Sequence, residues 1–220
     1  MKLVKWTITV VAGVLSIGAL SGIAAAQVPL DQLPRVLDAS MPRDEQISIA
    51  LSACPKGVAT NATVYVLGPK GYEIARQGTN GASALVGRHF ETPNETTVEP
   101  MCYDPEGSKT LLQVELHEEE LRSKGVSQEE IGADTANGYK DGRFKAPSRP
   151  GILYMLSSDN RLGLISGDGT GHFPPHMMFF APYMTGKDLG YGSSVAPFLV
   201  NAGKPNALMV VIPDLNPKMN

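Results

Sequence analysis

The chain is poor in the residues that announce chemistry. Its 220 residues hold two cysteines, four histidines and one tryptophan, and aromatic side chains make up only 6%. Two cysteines exclude both a disulfide-dense scaffold and an all-thiolate zinc site. Charge of one sign is also missing, with 19 Lys and Arg against 22 Asp and Glu. Binding to a phosphate backbone needs a concentrated basic face, so nucleic acid is not expected as a partner. The nearest basic group, Lys140, Arg143, Lys145 and Arg149, is spread through a Gly- and Pro-containing stretch and includes Asp141. There is no G-x-S-x-G elbow and no phosphate-binding loop, and Gly167-Asp168-Gly169-Thr170-Gly171 lacks the spacing of a dinucleotide fingerprint.

One long hydrophobic run is present, at the amino terminus. Lys2 and Lys5 precede an uncharged stretch from Thr7 to Ile23, and Ala24-Ala25-Ala26 follows. This layout predicts a secretory signal peptide over residues 1–26, cleaved after Ala26. The rival is an uncleaved anchor, since the run approaches the roughly 20 apolar residues of a membrane span. Gly13, Gly18, Gly22, Ser16 and Ser21 within it, and the absence of a basic cluster after it, favour cleavage. The mature chain is expected to be exported, periplasmic or extracellular, with no stable membrane span. Removing residues 1–26 takes away two lysines and no acids, leaving 17 basic against 22 acidic side chains, a net −5. Residues 27–220 suffice for one globular domain with its own core. Nothing in the sequence sets an oligomeric state.

Export changes how Cys54 and Cys102 read. An even pair in an oxidising compartment predicts a disulfide, with buried free thiols as the alternative.

Local patterns predict the elements. Pro42, Asp44 and Glu45 suit a helix start, Ile47, Leu51 and Cys54 recur at helical spacing, and Pro55 stops the run, so a helix is expected over 43–53. Thr63 to Leu67 is β-branched and aromatic, with a turn at Gly68-Pro69-Lys70-Gly71 and a return strand from Tyr72 to Arg76. Gly78 to Gly81 is a second turn, leading into Ala82 to Arg88, and residues 91–100 read as a loop. A helical insert is expected over about 105–141. Its first helix carries Leu111, Val114 and Leu121 inward and Glu115, Glu118, Glu119 and Arg122 outward. Gly125 ends it, and Ser127 with Glu130 forms a capping box for the next helix. Strand-like runs follow at 152–156, 162–165, 177–181, 197–200 and 207–212, the last without a polar side. Strands gathered before and after a helical block predict an α+β fold: a largely antiparallel sheet of about six or seven strands, an N-terminal helix and a helix–Gly–helix insert, with helices on one face or edge.

Chemistry has two candidates. His117-Glu118-Glu119-Glu120-Leu121 begins like a zinc-protease helix, but Leu121 stands where the second imidazole belongs, which leaves a solvated acidic face. Asp168-Gly-Thr-Gly-His172-Phe-Pro-Pro-His176 is the other. Two imidazoles and a carboxylate suit zinc or iron, so His172, His176 and Asp168 form a candidate metal set, with His89 as a further ligand. Fully extended, the two histidines lie about 13 Å apart, so chelation requires a bend at Pro174-Pro175. Without metal, His176 is either a strand-end side chain bonded to backbone or a polar anchor in an apolar pocket with Met178, Phe180 and Tyr154. The N-x-T sequons at Asn61 and Asn94 matter only in a eukaryotic secretory route.

The stretches Ala62 to Leu67, Gly78-Thr79-Asn80-Gly81, Met101-Cys102-Tyr103-Asp104, Gly151 to Ser157 and Pro175 to Pro182 resemble an uncharacterised group of exported bacterial proteins, over most of residues 45–190. The resemblance implies a bacterial envelope location and brings no activity. Three functions remain in play: a non-catalytic domain binding a small molecule or envelope component, a metal-assisted hydrolase using His172 and His176, and a structural or partner-binding envelope protein.

Overall fold

Prolines frame the first helix. Pro42, in an extended conformation, precedes α1 (Arg43–Ser52), and Pro55 follows it. The computed structural model of the protein describes residues 40–88, 98–160, 173–190 and 197–212. The inward face of α1 is turned from that expected: Gln46, Ile49 and Ala50 are buried, while Ile47 and Leu51 are half-buried. Gln46 goes inside because its amide completes a strand. The Leu67 N–H donates to its Oε1 at 2.7 Å, and its Nε2 donates to the Met41 carbonyl at 3.0 Å.

A short turn, α2 (Lys56–Ala59), leads to β1 (Thr63–Gly68) and β2 (Gly71–Arg76), an antiparallel hairpin. β3 (Ser83–Gly87) lies parallel to β1, and β4 (Glu99–Tyr103) runs antiparallel to β3. The helical block is α3 (Pro105–Lys109), α4 (Leu111–Ser123) and α5 (Gln128–Asp141). β5 (Ile152–Met155), β6 (His176–Phe180), β7 (Phe198–Val200) and β8 (Leu208–Val211) complete one eight-stranded sheet ordered β2-β1-β3-β4-β5-β6-β8-β7. The fold is α+β, and β1/β3 is the single parallel pairing among the described strands.

Three expectations need correction. The sheet has eight strands rather than six or seven, and β4 falls partly in the stretch read as loop. Pro100 hid it, since proline cannot donate to a ladder. β5 pairs only with Cys102 and Tyr103, so Pro100 lies beyond the two-sided part of the strand. The expected first insert helix breaks at Thr110 (φ −120°, ψ −81°) into α3 and α4, although the Gly125 stop (φ 80°) and the Ser127–Glu130 capping box follow as read. Helices cover both faces rather than one: α1 packs with Val64, Ala84, Val86 and Cys102, and α4 with the alternate residues Leu85, Met101 and Tyr103. The expected strand at 162–165 lies outside the described residues.

Cys54, at the foot of α1, is bonded to Cys102 in β4, with Cα atoms 5.2 Å apart. The bridge fastens α1 to the middle of the sheet. Beyond it, Leu156 N–H donates to the Ala53 carbonyl at 3.2 Å and Ser52 Oγ meets Ser157 Oγ at 2.7 Å, so the segment after β5 docks on the same helix end. Among the described residues, no helix is long and apolar enough to cross a membrane.

Candidate functional site

His176 stands at the entry of β6, just after Pro174-Pro175, and is 1% exposed. Its Nδ1 lies 2.9 Å from the Pro174 carbonyl, and its ring meets Phe173 edge-on at 4.6 Å. A carbonyl only accepts, so Nδ1 carries the proton and Nε2 presents a lone pair. That lone pair is buried without a hydrogen-bond partner. Asn160 belongs to the same knot. It is fully buried; its Nδ2 donates to the carbonyls of Met155 and Ser157 at 3.0 and 2.8 Å, and its Oδ1 is likewise unpartnered. Met155 is the ladder partner of His176, and Phe173 N–H donates to the Asn160 carbonyl at 3.0 Å. Two acceptors therefore stand in one neighbourhood with no donor among the described residues.

This knot can take a hydrogen-bond donor, but one imidazole does not hold catalytic zinc. Among the described residues no group of three or more His, Cys, Asp or Glu is placed to bind a metal. His172, Asp168 and His89 lie outside the described residues. Burial holds the His176 imidazole below its ordinary pKa, opposed by the bond to Pro174. A folded-state value below the unfolded one favours the neutral ring. Its contribution to stability is complete above the unfolded pKa of about 6.5 and is lost as pH falls through the lower folded value. Urea midpoints measured from pH 7.5 downward should therefore fall in the wild type below about pH 6.5, and less steeply in His176→Gln. Parallel curves would show that His176 contributes nothing to acid sensitivity.

Of the four residues expected to share a pocket, strand alternation keeps His176, Met178 and Phe180 on one face and puts Tyr154 on the other. Met178 faces Leu153 and Val210 across the ladders and packs, like Phe180, on the α4 side of the sheet. His176 shares that face, two and four residues away. Phe180 is core: a Cβ on either Gly107 or Gly151 would overlap its ring. Tyr154 pairs with Met177 and packs on the α1 side.

On that α1 side lies a feature that sequence reasoning missed. Ile152 opposes Phe179, Tyr154 opposes Met177, Met177 and Phe179 oppose Val211 and Met209, and Met209 opposes Leu199. Opposed residues share a face, so these side chains form one apolar band across β5, β6, β8 and β7, and every one is only half-buried. Of the band, only Tyr154 belongs to the cluster beneath α1. Among the described helices, α1 packs chiefly on β1, β3 and β4 rather than on the strands of the band. The run Ala207 to Ile212, which has no polar side, is buried at Ala207 and Val210 and half-buried elsewhere, Met209 and Val211 on this face included. The signal was the pairing, which no single strand carries.

The segment His117 to Leu121 is not a solvated acidic face. Glu119 is fully buried, held by Arg88 through both carboxylate oxygens and by Arg122 at 2.6 Å. Glu118 accepts from Thr135 Oγ1 at 2.7 Å. His117 Nε2 meets Asp134 at 2.8 Å, and Arg143 clamps the same carboxylate at 2.9 and 3.0 Å. Arg143 holds the Asp134 carboxyl below the ordinary range, helped by His117. These contacts join α4 to the sheet and to α5, which accounts for them structurally. No family model, curated protein or solved structure matches this chain.

Proposed function

We propose that this is an exported, non-catalytic binding protein that takes a small, elongated apolar ligand on the open band of β5, β6, β8 and β7. The observation that carries the reading is the half-buried state of every band residue, whereas on the opposite face Leu153, Met155, His176, Phe180 and Val210 are buried and only Met178, Leu208, Phe198 and Val200 are half-buried. Met177 and Met209 supply flexible, polarisable contacts that adapt to differently shaped apolar partners. The disulfide and the signal-like leader support export.

Size favours a small ligand over a protein partner. Four strands about 4.8 Å apart, each with one or two band residues, give a patch of roughly 14 by 7 Å, or about 100 Å². A stable protein interface buries about 800 Å² on each side. Burying about 100 Å² on protein and ligand alike, at about 25 cal/mol per Å², yields about 5 kcal/mol before association losses, so binding no tighter than about millimolar is expected.

The test is titration with a neutral alcohol that dissolves well above millimolar concentration, such as hexanol, followed by protein NMR. Saturable shifts should map to β5, β6 and β8. Phe179→Gln should weaken binding at least about tenfold, which corresponds to about 1.4 kcal/mol of lost contact. Met178→Leu, on the opposite face, should leave binding unchanged. Shifts that never saturate, or equal affinity in Phe179→Gln, would remove the band as a site.

A further inference from the structure

Methionine is the soft donor this chain has in number. It holds nine methionines, and its two cysteines are both consumed in the Cys54–Cys102 bridge. A soft metal ion would therefore have to be held by thioethers and imidazoles. In a core a thioether is ordinarily a gap-filler, so a site also needs an unused imidazole lone pair beside the sulfurs.

His176 supplies that lone pair. Its Nδ1–H is given to the Pro174 carbonyl at 2.9 Å, and its Nε2 is buried without a hydrogen-bond partner. A bond from the second ring nitrogen to a backbone carbonyl is how metal-binding histidines are held in the right tautomer and orientation. An imidazole kept for packing alone would leave a buried acceptor unmet, which is costly.

The β5/β6 ladder sets two sulfurs around this nitrogen. Met155 is the direct partner of His176 and is only 2% exposed. Opposed side chains on one face have Cβ atoms about 5 Å apart. Met178 follows two residues along β6 on the same face, about 7 Å on, and stands diagonal to Met155. Unbranched thioether side chains span both separations. Asn160 Nδ2 donates to the Met155 carbonyl at 3.0 Å and so pins the strand end that carries the first sulfur. Met178 is half-buried, which leaves the triangle one corner reached by solvent and gives an ion its way in. One nitrogen and two neutral sulfurs suit a soft monovalent ion better than zinc or iron, which favour thiolate, imidazole and carboxylate sets.

We propose that Met155, His176 and Met178 form a cuprous-ion site, with copper bonded to His176 Nε2 and to the two thioether sulfurs. The site lies on the α4 side of the sheet, across from the apolar band, and does not rest on the reading proposed for that band.

The experiment titrates the purified chain, disulfide intact, with Cu(I) under ascorbate and without oxygen, against bicinchoninate as competing chelator. Methionine methyl NMR reads the site, and Zn(II) is a parallel arm. One Cu(I) per chain should be retained, with shifts concentrated in the Met155 and Met178 methyl signals. Met155→Leu and Met178→Leu, swaps that conserve core volume, should each weaken binding at least about tenfold. His176→Gln should abolish it, and the two leucine variants carry the test if that protein does not fold. Met184→Leu, in the turn after β6, should bind as the wild type does. Loss of all Cu(I) to bicinchoninate, unchanged affinity in either Met155→Leu or Met178→Leu, shifts spread evenly over the methionines, or Zn(II) bound as tightly would each overturn the proposal.

Discussion

Glu119→Ala should lower stability by about 3–5 kcal/mol, because it strips a fully buried carboxylate from two arginines. For a chain of this size, that corresponds to a drop in Tm of roughly 10 °C or more. The asymmetry between breaking and replacing a buried ion pair sets the magnitude. Arg88 and Arg122 are only 20% and 16% exposed at their side chains, so bulk water replaces little of what the carboxylate gave them. Tyr72, buried beside this group with its hydroxyl donating to the Val86 carbonyl at 2.7 Å, would face two cations that have lost the Glu119 carboxylate. The apolar triple variant Arg88→Met, Glu119→Leu, Arg122→Met should regain part of the loss, since it removes the two cations together with the carboxylate. Thermal unfolding of both variants is the measurement. A Glu119→Ala protein within about 1 kcal/mol of wild type would show that the ion group is wet and weak, as surface pairs are.

Removing the Cys54–Cys102 bridge should cost about 4 kcal/mol, the chain-entropy value for a closed loop of 48 residues. The alanine pair Cys54→Ala, Cys102→Ala is the cleaner variant, because Cys102 is fully buried and serine would leave a hydroxyl in an apolar cluster. The effect should also be local. With α1 no longer bolted to β4, the Leu156 N–H bond to Ala53 should exchange with solvent much faster than the β3/β4 ladder. Urea unfolding gives the global loss, and hydrogen exchange read by NMR gives the local one. Unchanged exchange at Leu156 alongside a full loss of stability would place the whole effect in the unfolded chain.

The cysteine pair was legible because composition restricted it: two thiols have one way to pair. Helix ends were legible for a similar reason. Pro42, Pro55, Gly125 and the Ser127–Glu130 box act within a few residues of where they stand. Glu119 was not, because helical spacing shows which residues share a face but not whether that face meets water or an arginine. Its partner Arg88 lies 31 residues away, across α3 and β4. His176 was found as a candidate by its residue type alone. What distinguishes it, the proton on Nδ1 and the unpartnered Nε2, depends on Pro174, Phe173 and the turn that carries Asn160.

By itself, the sequence determined the local grammar: a signal-like leader, an α+β order of elements, where most helices begin and end, and which two cysteines any disulfide must join. Only the tertiary structure decided which side of each strand is covered. The apolar band exists because α1 packs chiefly on β1, β3 and β4 and because β6 pairs with β8 rather than with its neighbour in sequence, β7. The physical reason is reach. Caps, turns and side-chain periodicity are settled by neighbours along the chain, whereas burial is settled by whichever segment arrives from elsewhere, and the sequence of one strand carries no record of it.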